Sequence, residues 1–389
     1  MLSPSIIVVG AGPAGSTAAR LLAQDGARVT LLEARRLPRD KACGGGVTSK
    51  ALRSIPSAAL ETAEGSIHKY EFRGGRLPPF HLDEPEAEIT MIRRASFDYA
   101  LAEAAANAGA AVCDGERVVR VVEDVDGVTA TTRHGSIRAD YLIAADGDPS
   151  GTARQLGLGG VPVRRSLTLS ALVPSSASMP DDTAVVSFTV ARGYAWYFPK
   201  GDHASIGVGS AIASGRKRGS ISAMRGALDR FAEHAGVPLG GQHLTGHWVP
   251  QGSRRGQLAS QRCLLVGDAA AIADPLFGEG IAYAIRTGSM AAQALRDIAE
   301  GRAVDLRPYE ERLHATFQPS MRRLRLAARV VDWSPSFALT AARISPWVRA
   351  YGANVVSGLR TPFAFASLDA SPHTAGKSDD PMPRQAETL

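Results

Sequence analysis

A glycine-rich turn between a short apolar strand and a helix is the feature that most constrains the fold of this chain. Residues 6–9 are Ile-Ile-Val-Val, a β-branched run typical of a buried parallel strand, and Gly10, Gly12 and Gly15 follow directly. Apolar residues then recur at helical spacing, and a second strand ends in Glu33. This order of strand, turn, helix and strand predicts a dinucleotide-binding βαβ unit at the start of the chain.

Each glycine of the turn has its own physical role. Gly10 closes the turn, Gly12 lets backbone N–H groups approach a pyrophosphate, and Gly15 lets the helix pack against the strand. Glu33 can accept hydrogen bonds from the adenosine ribose hydroxyls, and an acid at this position favours FAD or NAD over NADP. The predicted cofactor contacts from this unit are Gly10, Gly12, Pro13, Ala14, Gly15, Glu33, Ala34 and Arg35.

Composition and charge exclude several classes of protein. The 389 residues suit one large domain or two interleaved ones. The net charge of +6 arises from 44 basic and 38 acidic residues without a long basic block, so nucleic acid is not an expected partner. Three cysteines that lie far apart argue against a disulfide framework and favour a reducing cytoplasm. No apolar run reaches the roughly 18–20 residues that span a bilayer, which leaves only peripheral membrane contact open.

Two later strands end in acids. One ends in Asp146-Gly147 and the other in Asp268, and both acids are expected to point into the crevice where ligands bind on a parallel sheet. Asp268 is placed to accept from a ribityl hydroxyl. The glycines at 278 and 280 expose backbone N–H groups beside a helix N-terminus, which suits the pyrimidine edge of a flavin. The predicted cofactor contacts here are Val118, Asp146, Gly147, Asp268, Pro275, Gly278, Gly280 and Ile281.

This spaced set of motifs resembles the FAD-dependent oxidoreductases of the para-hydroxybenzoate hydroxylase fold. The resemblance implies one bound FAD and no second Rossmann domain, and the sequence contains no second dinucleotide fingerprint. NAD(P)H is therefore expected to bind only transiently, as the electron donor. The resemblance also implies a cofactor contact from Arg94, with the adjacent Arg93 as the alternative. The matching positions are 5–33, 94–98, 140–154 and 263–288.

Three further motifs narrow the resemblance to one branch. They are Cys43-Gly-Gly-Gly46, the run Tyr194-Ala-Trp196-Tyr-Phe198-Pro-Lys200-Gly201, and Asp274-Pro-Leu-Phe-Gly-Glu-Gly280. Together they resemble the geranylgeranyl reductase family, which reduces carbon–carbon double bonds in isoprenoid chains of chlorophyll precursors, archaeal lipids and quinones. The resemblance implies an enzyme whose reduced flavin delivers a hydride to a long apolar small-molecule substrate. It places Cys43, Tyr194 and Trp196 at the reaction site as candidate catalytic residues.

The glycines after Cys43 have a physical interpretation beside that resemblance. Without a Cβ, Gly44 and Gly45 would let the backbone lie flat against the isoalloxazine ring, so both are predicted cofactor contacts together with Cys43. The thiol would then lie near the reactive edge of the flavin, either as a proton relay or as a packing group. The proton donor stays open among Cys43, Tyr194 and a water molecule.

The aromatic run has two interpretations. Tyr194 and Trp196 are two residues apart, so on a strand they share one face, which either lines the substrate pocket or packs in the core. Lys200 and Asp202 are expected in a solvated turn after that strand. Two other functions also remain open, namely a flavin monooxygenase or halogenase on the same fold and a non-catalytic flavoprotein. No metal site is predicted, because His243 and His247 lack an acid at suitable spacing.

The predicted fold is α/β, with an FAD-binding Rossmann-like domain interleaved with a mostly antiparallel β substrate domain and a C-terminal helical segment. The helical segment interleaves aromatic residues with arginines, and we expect it to cap the substrate cavity, with contact with a membrane surface as the alternative. The oligomeric state is not predicted. The predicted FAD-binding domain comprises residues 1–75, 90–160 and 250–300. The predicted substrate domain comprises residues 76–89 and 161–249, with strands at 167–173 and 183–190. The helical segment is expected at 301–368, followed by a disordered tail at 369–389. The aromatic residues of the helical segment are Trp333, Phe337, Trp347, Phe363 and Phe365.

Overall fold

A computed structural model describes residues 4–75, 77–85, 88–211, 218–237 and 239–349. The predicted tail 369–389, together with Phe363 and Phe365, lies outside these residues. Within them the strands are β1 Ser5–Val9, β2 Arg28–Glu33, β3 Gly46–Thr48, β4 Ala63–Ile67, β5 Lys69–Arg73, β6 Phe80–Asp83, β7 Ile89–Ile92, β8 Ala111–Asp114, β9 Arg120–Asp124, β10 Gly127–Thr131, β11 Ser136–Ala139, β12 Tyr141–Ala144, β13 Pro162–Pro174, β14 Thr183–Ser187, β15 Gly193–Lys200, β16 His203–Ala211, β17 Thr245–Arg254 and β18 Cys263–Leu265. The helices are α1 Pro13–Gln24, α2 Ser49–Leu52, α3 Ser57–Leu60, α4 Arg94–Asn107, α5 Gly151–Gln155, α6 Arg218–His234, α7 Ile281–Ala299, α8 Arg307–Trp333 and α9 Pro335–Ile344.

A five-stranded parallel sheet forms the first layer. Its strand order is β18-β12-β1-β2-β8, and β1 lies at its centre between β12 and β2. The β-branched residues of β1 are buried on both faces, as the sequence predicts for an interior parallel strand. The helices α1 and α7 pack against each other beside this sheet. The Rossmann-like FAD-binding fold predicted from the glycine fingerprint is confirmed.

A seven-stranded sheet forms the second layer, in the order β17-β13-β16-β15-β14-β5-β6. Every neighbouring pair is antiparallel except β14 and β5, which confirms a mostly antiparallel sheet. The strands of this sheet cross two of the domain boundaries drawn from the sequence. β5 pairs with β14 although the prediction assigned it to the FAD-binding domain, and β17 continues to Arg254, past the predicted limit at 249. The alternating pattern of β5 identifies a strand but not the sheet that receives it.

Two small sheets connect these layers. The strands β11, β10 and β9 form an antiparallel meander, whereas β3 and β4 pair on either side of β7. The pairing of β3 with β7 sets Gly46 opposite Met91. Since β3 directly follows Cys43-Gly-Gly, this small sheet fixes where that segment lies relative to both large sheets.

The C-terminal helices differ from their predicted role in one respect. Apolar residues on one side of α8, including Phe317 and Ala328, are buried, as expected for a cap. The aromatic residues that were expected to be buried with them are exposed instead. Trp333 is 78% exposed, and Phe337 and Trp347 are also exposed. In the part of the chain that the structure describes, no helix has both the length and the apolar character to cross a membrane.

Candidate functional site

A cavity of about 710 Å³ lies between the carboxyl ends of the parallel strands and one face of the antiparallel sheet. Nearly all of the predicted site residues line it. Gly15 and Pro275 are the two that do not. The lining residues among them are Gly10, Gly12, Pro13, Ala14, Glu33, Ala34, Arg35, Cys43, Gly44, Gly45, Arg94, Val118, Asp146, Gly147, Tyr194, Trp196, Asp268, Gly278, Gly280 and Ile281.

Two glycines of the fingerprint turn differ in what surrounds them. A Cβ on Gly15 would lie 1.9 Å from the carbonyl oxygen of Gly10, so this position is needed for packing of helix on strand. A Cβ on Gly12 would meet only the tip of Arg39, at 4.0 Å, and would otherwise project into open space. Gly12 is also the N-cap of α1 and offers no side-chain cap. The first N–H groups of α1 are therefore left for an anionic ligand, as the sequence predicts for a pyrophosphate.

Glu33 belongs to a buried network of charges. Its Oε2 accepts from the backbone N–H of Ala11 at 3.0 Å and from Nη2 of Arg39 at 3.1 Å. Nη1 of Arg39 donates to Oδ2 of Asp98 at 2.6 Å, and Arg94 donates to both oxygens of Asp98. Arg94, a predicted cofactor contact, thus lines the cavity, while its charge is matched by Asp98. Arg39 and Asp98 are not among the predicted site residues, although the i,i+4 spacing of Arg94 and Asp98 is a local signal for their pairing.

The two predicted acids at strand ends have different surroundings. Asp146 accepts from Ser150 Oγ at 2.6 Å and from the N–H of Thr152 at 3.0 Å, so it caps the first turn of α5. Asp268 instead receives Nζ of Lys41 at 2.9 Å, and Nε2 of His247 lies 3.5 Å from the same oxygen. Of the two, Asp268 is the acid held in place by side chains of the cavity wall, of which Lys41 carries the charge.

The charges of this cluster follow from burial and pairing. Burial alone would raise the pKa of Asp268, but Lys41 and His247 outweigh it and hold the pKa well below its usual range. Burial lowers the pKa of His247, and the nearby Lys41 adds to this effect. Asp268 is therefore an ionised acceptor at neutral pH, which suits the predicted contact with a ribityl hydroxyl. Lys41 and His247 were not predicted, since only the fold brings them to Asp268.

The segment Cys43-Gly-Gly is held by the protein itself. The N–H of Gly45 lies 3.3 Å from Sγ of Cys43, and the carbonyl of Gly45 accepts from the N–H of Ile92 at 2.8 Å. Gly45 has φ +78°, and a Cβ there would lie 2.1 Å from Nζ of Lys200. Glycine is therefore needed at this position partly because of the backbone conformation and the contact with Lys200, in addition to the predicted approach to a flavin ring.

Lys200 corrects the expectation of a solvated turn. It ends β15 and is 3% exposed, and its Nζ donates to the carbonyl of Ile92 behind Gly45. Burial lowers the pKa of Lys200 to about 8. Asp202, two residues later, is exposed as expected. The turn begins one residue later than the pattern indicated, so the lysine stays inside while the acid reaches solvent.

Aromatic rings form the far wall of the cavity. The rings of Tyr194 and Trp196 lie 5.9 Å apart on one face of β15, as their spacing predicts. Phe188 stands edge-on to Tyr194 and stacks with Phe72 on β5, with centroid distances of 6.4 and 6.5 Å. Because these rings both pack together and line the cavity, the two interpretations of the aromatic run hold at once. The wall suits an apolar, extended ligand.

The opposite edge of the cavity has the donor and acceptor set that FAD requires. Free N–H groups at α1 suit the pyrophosphate, the Glu33 carboxylate suits the adenosine ribose, and the Asp268 carboxylate suits the ribityl chain. Open space beside Gly12 leaves room for the phosphates. The residues present therefore fit FAD.

Comparisons with known proteins agree with this site. The FAD binding domain family matches residues 4–334. The chain is 34% identical over 318 residues to digeranylgeranylglycerophospholipid reductase of Thermoplasma acidophilum, covering 76% of this chain and 78% of that one. It is 31% identical over 321 residues to menaquinone reductase of Mycolicibacterium smegmatis, covering 75% and 76%. A solved structure of a geranylgeranyl bacteriochlorophyll reductase-like protein from Thermoplasma acidophilum matches with a TM-score of 0.77 and 27% identity, over 91% of both chains.

The predicted fold, the cofactor and the family resemblance are thus all supported by independent matches. The family match extends from β1 to the end of α8 and includes both large sheets. We conclude that the chain is an FAD-dependent oxidoreductase and belongs to the geranylgeranyl reductase family, within the larger FAD binding domain family.

Proposed function

We propose that this protein reduces carbon–carbon double bonds in a long isoprenoid chain, with NAD(P)H as a transient electron donor. The observation that carries the proposal is the presence, in one cavity, of a dinucleotide edge and a wall of aromatic rings. The two relatives are named for a lipid and a quinone, which differ in their head groups while both carry isoprenoid chains. The proposed substrate class is therefore defined by its isoprenoid chain, and the head group can vary.

The residues of the cavity would bind, orient and shield the reactants. Reduced FAD, when bound, supplies the hydride. The N-terminus of α1 and the carboxylates of Glu33 and Asp268 would hold the cofactor at one edge, and the rings on β15 and β5 would align the chain and exclude water. A single dinucleotide fingerprint in the sequence supports brief rather than permanent binding of NAD(P)H.

The test uses the flavin-loaded protein without oxygen. After reduction with NADH or NADPH, isoprenoid lipids and quinones are added, flavin reoxidation is followed by absorbance, and product mass is measured. We expect reoxidation with a gain of two hydrogens per double bond. Turnover that requires oxygen and adds an oxygen or halogen atom would identify a monooxygenase or halogenase instead. A flavin that no substrate reoxidises would indicate a non-catalytic flavoprotein.

We also propose that α8 brings the protein to a membrane surface, from which such a substrate could enter. Arg322, Leu326, Arg329 and Trp333 follow at spacings of four, three and four residues, so they share one face of α8, and all are exposed. The ring of Phe337 extends this stripe, 6.0 Å from that of Trp333. Arginines flanking aromatic residues suit anionic headgroups and the bilayer interface.

The same helix also reaches the cavity. Ala328, Val331 and Asp332 line it, and Asp332 is held by Arg164 of β13 at 2.7 Å. One face of α8 therefore borders the proposed substrate site while another carries the exposed stripe. This continuity gives an apolar chain a short route from a bilayer to the aromatic wall.

Co-sedimentation with vesicles tests this contact. We expect binding to phosphatidylglycerol-containing vesicles that weakens with salt, and about tenfold or greater weakening when Trp333→Ala and Phe337→Ala are combined. Val125→Ala, which removes an exposed apolar side chain on the β9–β10 hairpin, is the control and should leave binding unchanged. Equal binding by the double variant and the wild type would contradict the assignment.

A further inference from the structure

We propose that Asp274 donates the proton that completes reduction of the double bond. This inference rests on the proposed function and assigns a residue to the role left open among Cys43, Tyr194 and water. Asp274 is 1% exposed and lines the cavity. It begins the loop whose glycines, Gly278 and Gly280, are predicted to meet the flavin.

The position of Asp274 joins the two edges of the cavity. Its backbone carbonyl accepts from Nε2 of Gln251 at 2.8 Å, which ties the loop to β17. On the other side, Tyr194 of the aromatic wall donates its hydroxyl proton to the carbonyl of Phe277, in the same loop. A group on this loop is therefore near both the predicted flavin contacts and the proposed substrate wall.

The two oxygens of the Asp274 carboxyl have different tasks. Oδ1 accepts from the N–H groups of Leu276 and Phe277, at 2.5 and 2.8 Å, and so shapes the turn. Oδ2 accepts no hydrogen bond from any residue that the structure describes. One oxygen is thus available to carry a proton while the other keeps the loop in place.

The burial of Asp274 favours a carboxyl that keeps its proton. Burial raises the pKa of Asp274 to about 6, with Lys50 of α2 opposing the change and Glu279 of the same loop adding to it. From β15, the neutral hydroxyl of Tyr194 faces Asp274. A carboxyl in this state holds a proton in a useful fraction of molecules near neutral pH.

The other two candidates are less suited to the task. The hydroxyl proton of Tyr194 is already donated to Phe277, and burial raises the pKa of Tyr194 far above neutrality. Sγ of Cys43 lies against the N–H of Gly45 and interacts with the guanidinium of Arg94. Both residues are better suited to shaping the pocket than to giving up a proton.

The proposed step balances. The hydride from reduced flavin forms a C–H bond to one alkene carbon and the π bond breaks. The other carbon takes the proton from Asp274 as a second C–H bond forms, which leaves the carboxylate and oxidised flavin. Solvent reprotonates Asp274 before the next turnover, and NAD(P)H restores the flavin.

Asp274→Asn tests the inference because the amide oxygen can still accept from Leu276 and Phe277 but the acidic proton is gone. We expect normal FAD content, flavin reduction by NAD(P)H within about twofold of wild type, and reoxidation by the isoprenoid substrate slowed about 100-fold or more. Asp274→Glu should recover part of the rate. Asp202→Asn, which alters an exposed carboxylate, is the matched control and should behave as the wild type.

Two readouts separate proton donation from a structural role. The wild-type reoxidation rate should fall as pH rises through about 6, and the variant should lack this dependence. In the absence of substrate, an infrared band of a protonated carboxylic acid should titrate near that pH and be missing in Asp274→Asn. Wild-type turnover together with an equally fast Asp274→Asn variant, or an unchanged pH profile, overturns this inference alone. Absence of any isoprenoid turnover in the wild type overturns the proposed function and this inference with it.

Discussion

Different interactions stabilise the two edges of the cavity. The nucleotide edge rests on backbone N–H groups and on a buried chain of charges, from Glu33 through Arg39 to Asp98 and Arg94. The aromatic edge rests on packing among rings of β5 and β15 and the ring of Phe188, which directly follows β14. Each buried charge depends on its neighbour, whereas each ring shares many weak contacts. We therefore expect a single substitution to cause a large loss of stability at the nucleotide edge and a small loss at the aromatic edge.

The strongest test of this contrast is Asp98→Ala. Asp98 has no exposed surface and is the acid that Arg94 and Arg39 share, so its loss leaves two buried guanidinium groups without this partner. We expect the free energy of unfolding to fall by about 3–5 kcal/mol, with loss of bound FAD. Chemical denaturation and flavin absorbance measure the two effects. The control is Asp229→Ala, which removes an exposed i,i+4 pair with Arg225 and should cost about 0.5 kcal/mol or less.

Asp98 also predicts a dependence on pH. Burial by itself would raise the pKa of Asp98, but Arg94 and Arg39 outweigh it and lower the pKa. A lowered pKa in the folded state means that the carboxylate stabilises the fold above its unfolded pKa of about 4, and that this stabilisation is lost as pH falls below that value. The difference in unfolding free energy between wild type and Asp98→Ala should therefore shrink below about pH 4. A difference that stayed constant would contradict the pairing.

Gly45→Ala tests the junction between the two edges. A Cβ at φ +78° costs roughly 1–2 kcal/mol by itself, and here it would also collide with Nζ of Lys200 and with the carbonyl of Ile92. We expect a loss of stability larger than that of Gly26→Ala, together with reduced FAD content. Gly26 has φ +83° and open space around its Cβ position, so it isolates the backbone cost. Equal losses in the two variants would show that Lys200 and Ile92 move aside.

The sequence predicts the nucleotide half well because its signals are local. The strand, turn, helix and acid from β1 to Glu33 lie within one short segment, and each has a role that residue type alone indicates. The same approach cannot decide which sheet receives a short strand. β5 joins the antiparallel sheet through long-range pairing with β14, although the domain boundaries drawn from the sequence place it with the nucleotide half.

The residues of the site can likewise be predicted only where their signals are local in the sequence. The sequence predicts the cavity-lining residues that lie within motifs, but not the residues that act through partners distant in the sequence. Lys41 reaches an oxygen 227 positions away in the sequence, and Lys200 a carbonyl 108 positions away. Neither lysine belongs to a pattern that would reveal its partner. Asp274 lies within a recognisable sequence motif, but its role as an acid depends on burial, which only the fold shows.

The smallest effect is expected at the aromatic edge, from Phe188→Ala. The Phe188 ring is partly buried, so we expect about 1–2 kcal/mol loss of stability and unchanged FAD content. Its removal widens the wall beside Tyr194 and Phe72, and the KM for an isoprenoid substrate should rise up to about tenfold while flavin reduction by NAD(P)H is unaffected. Tyr99→Ala, a ring on the outer face of α4, is the control and should leave KM unchanged. Loss of FAD in Phe188→Ala would show that the two edges are one cooperative unit, because a ring distant from the charge network would then be needed to hold the nucleotide.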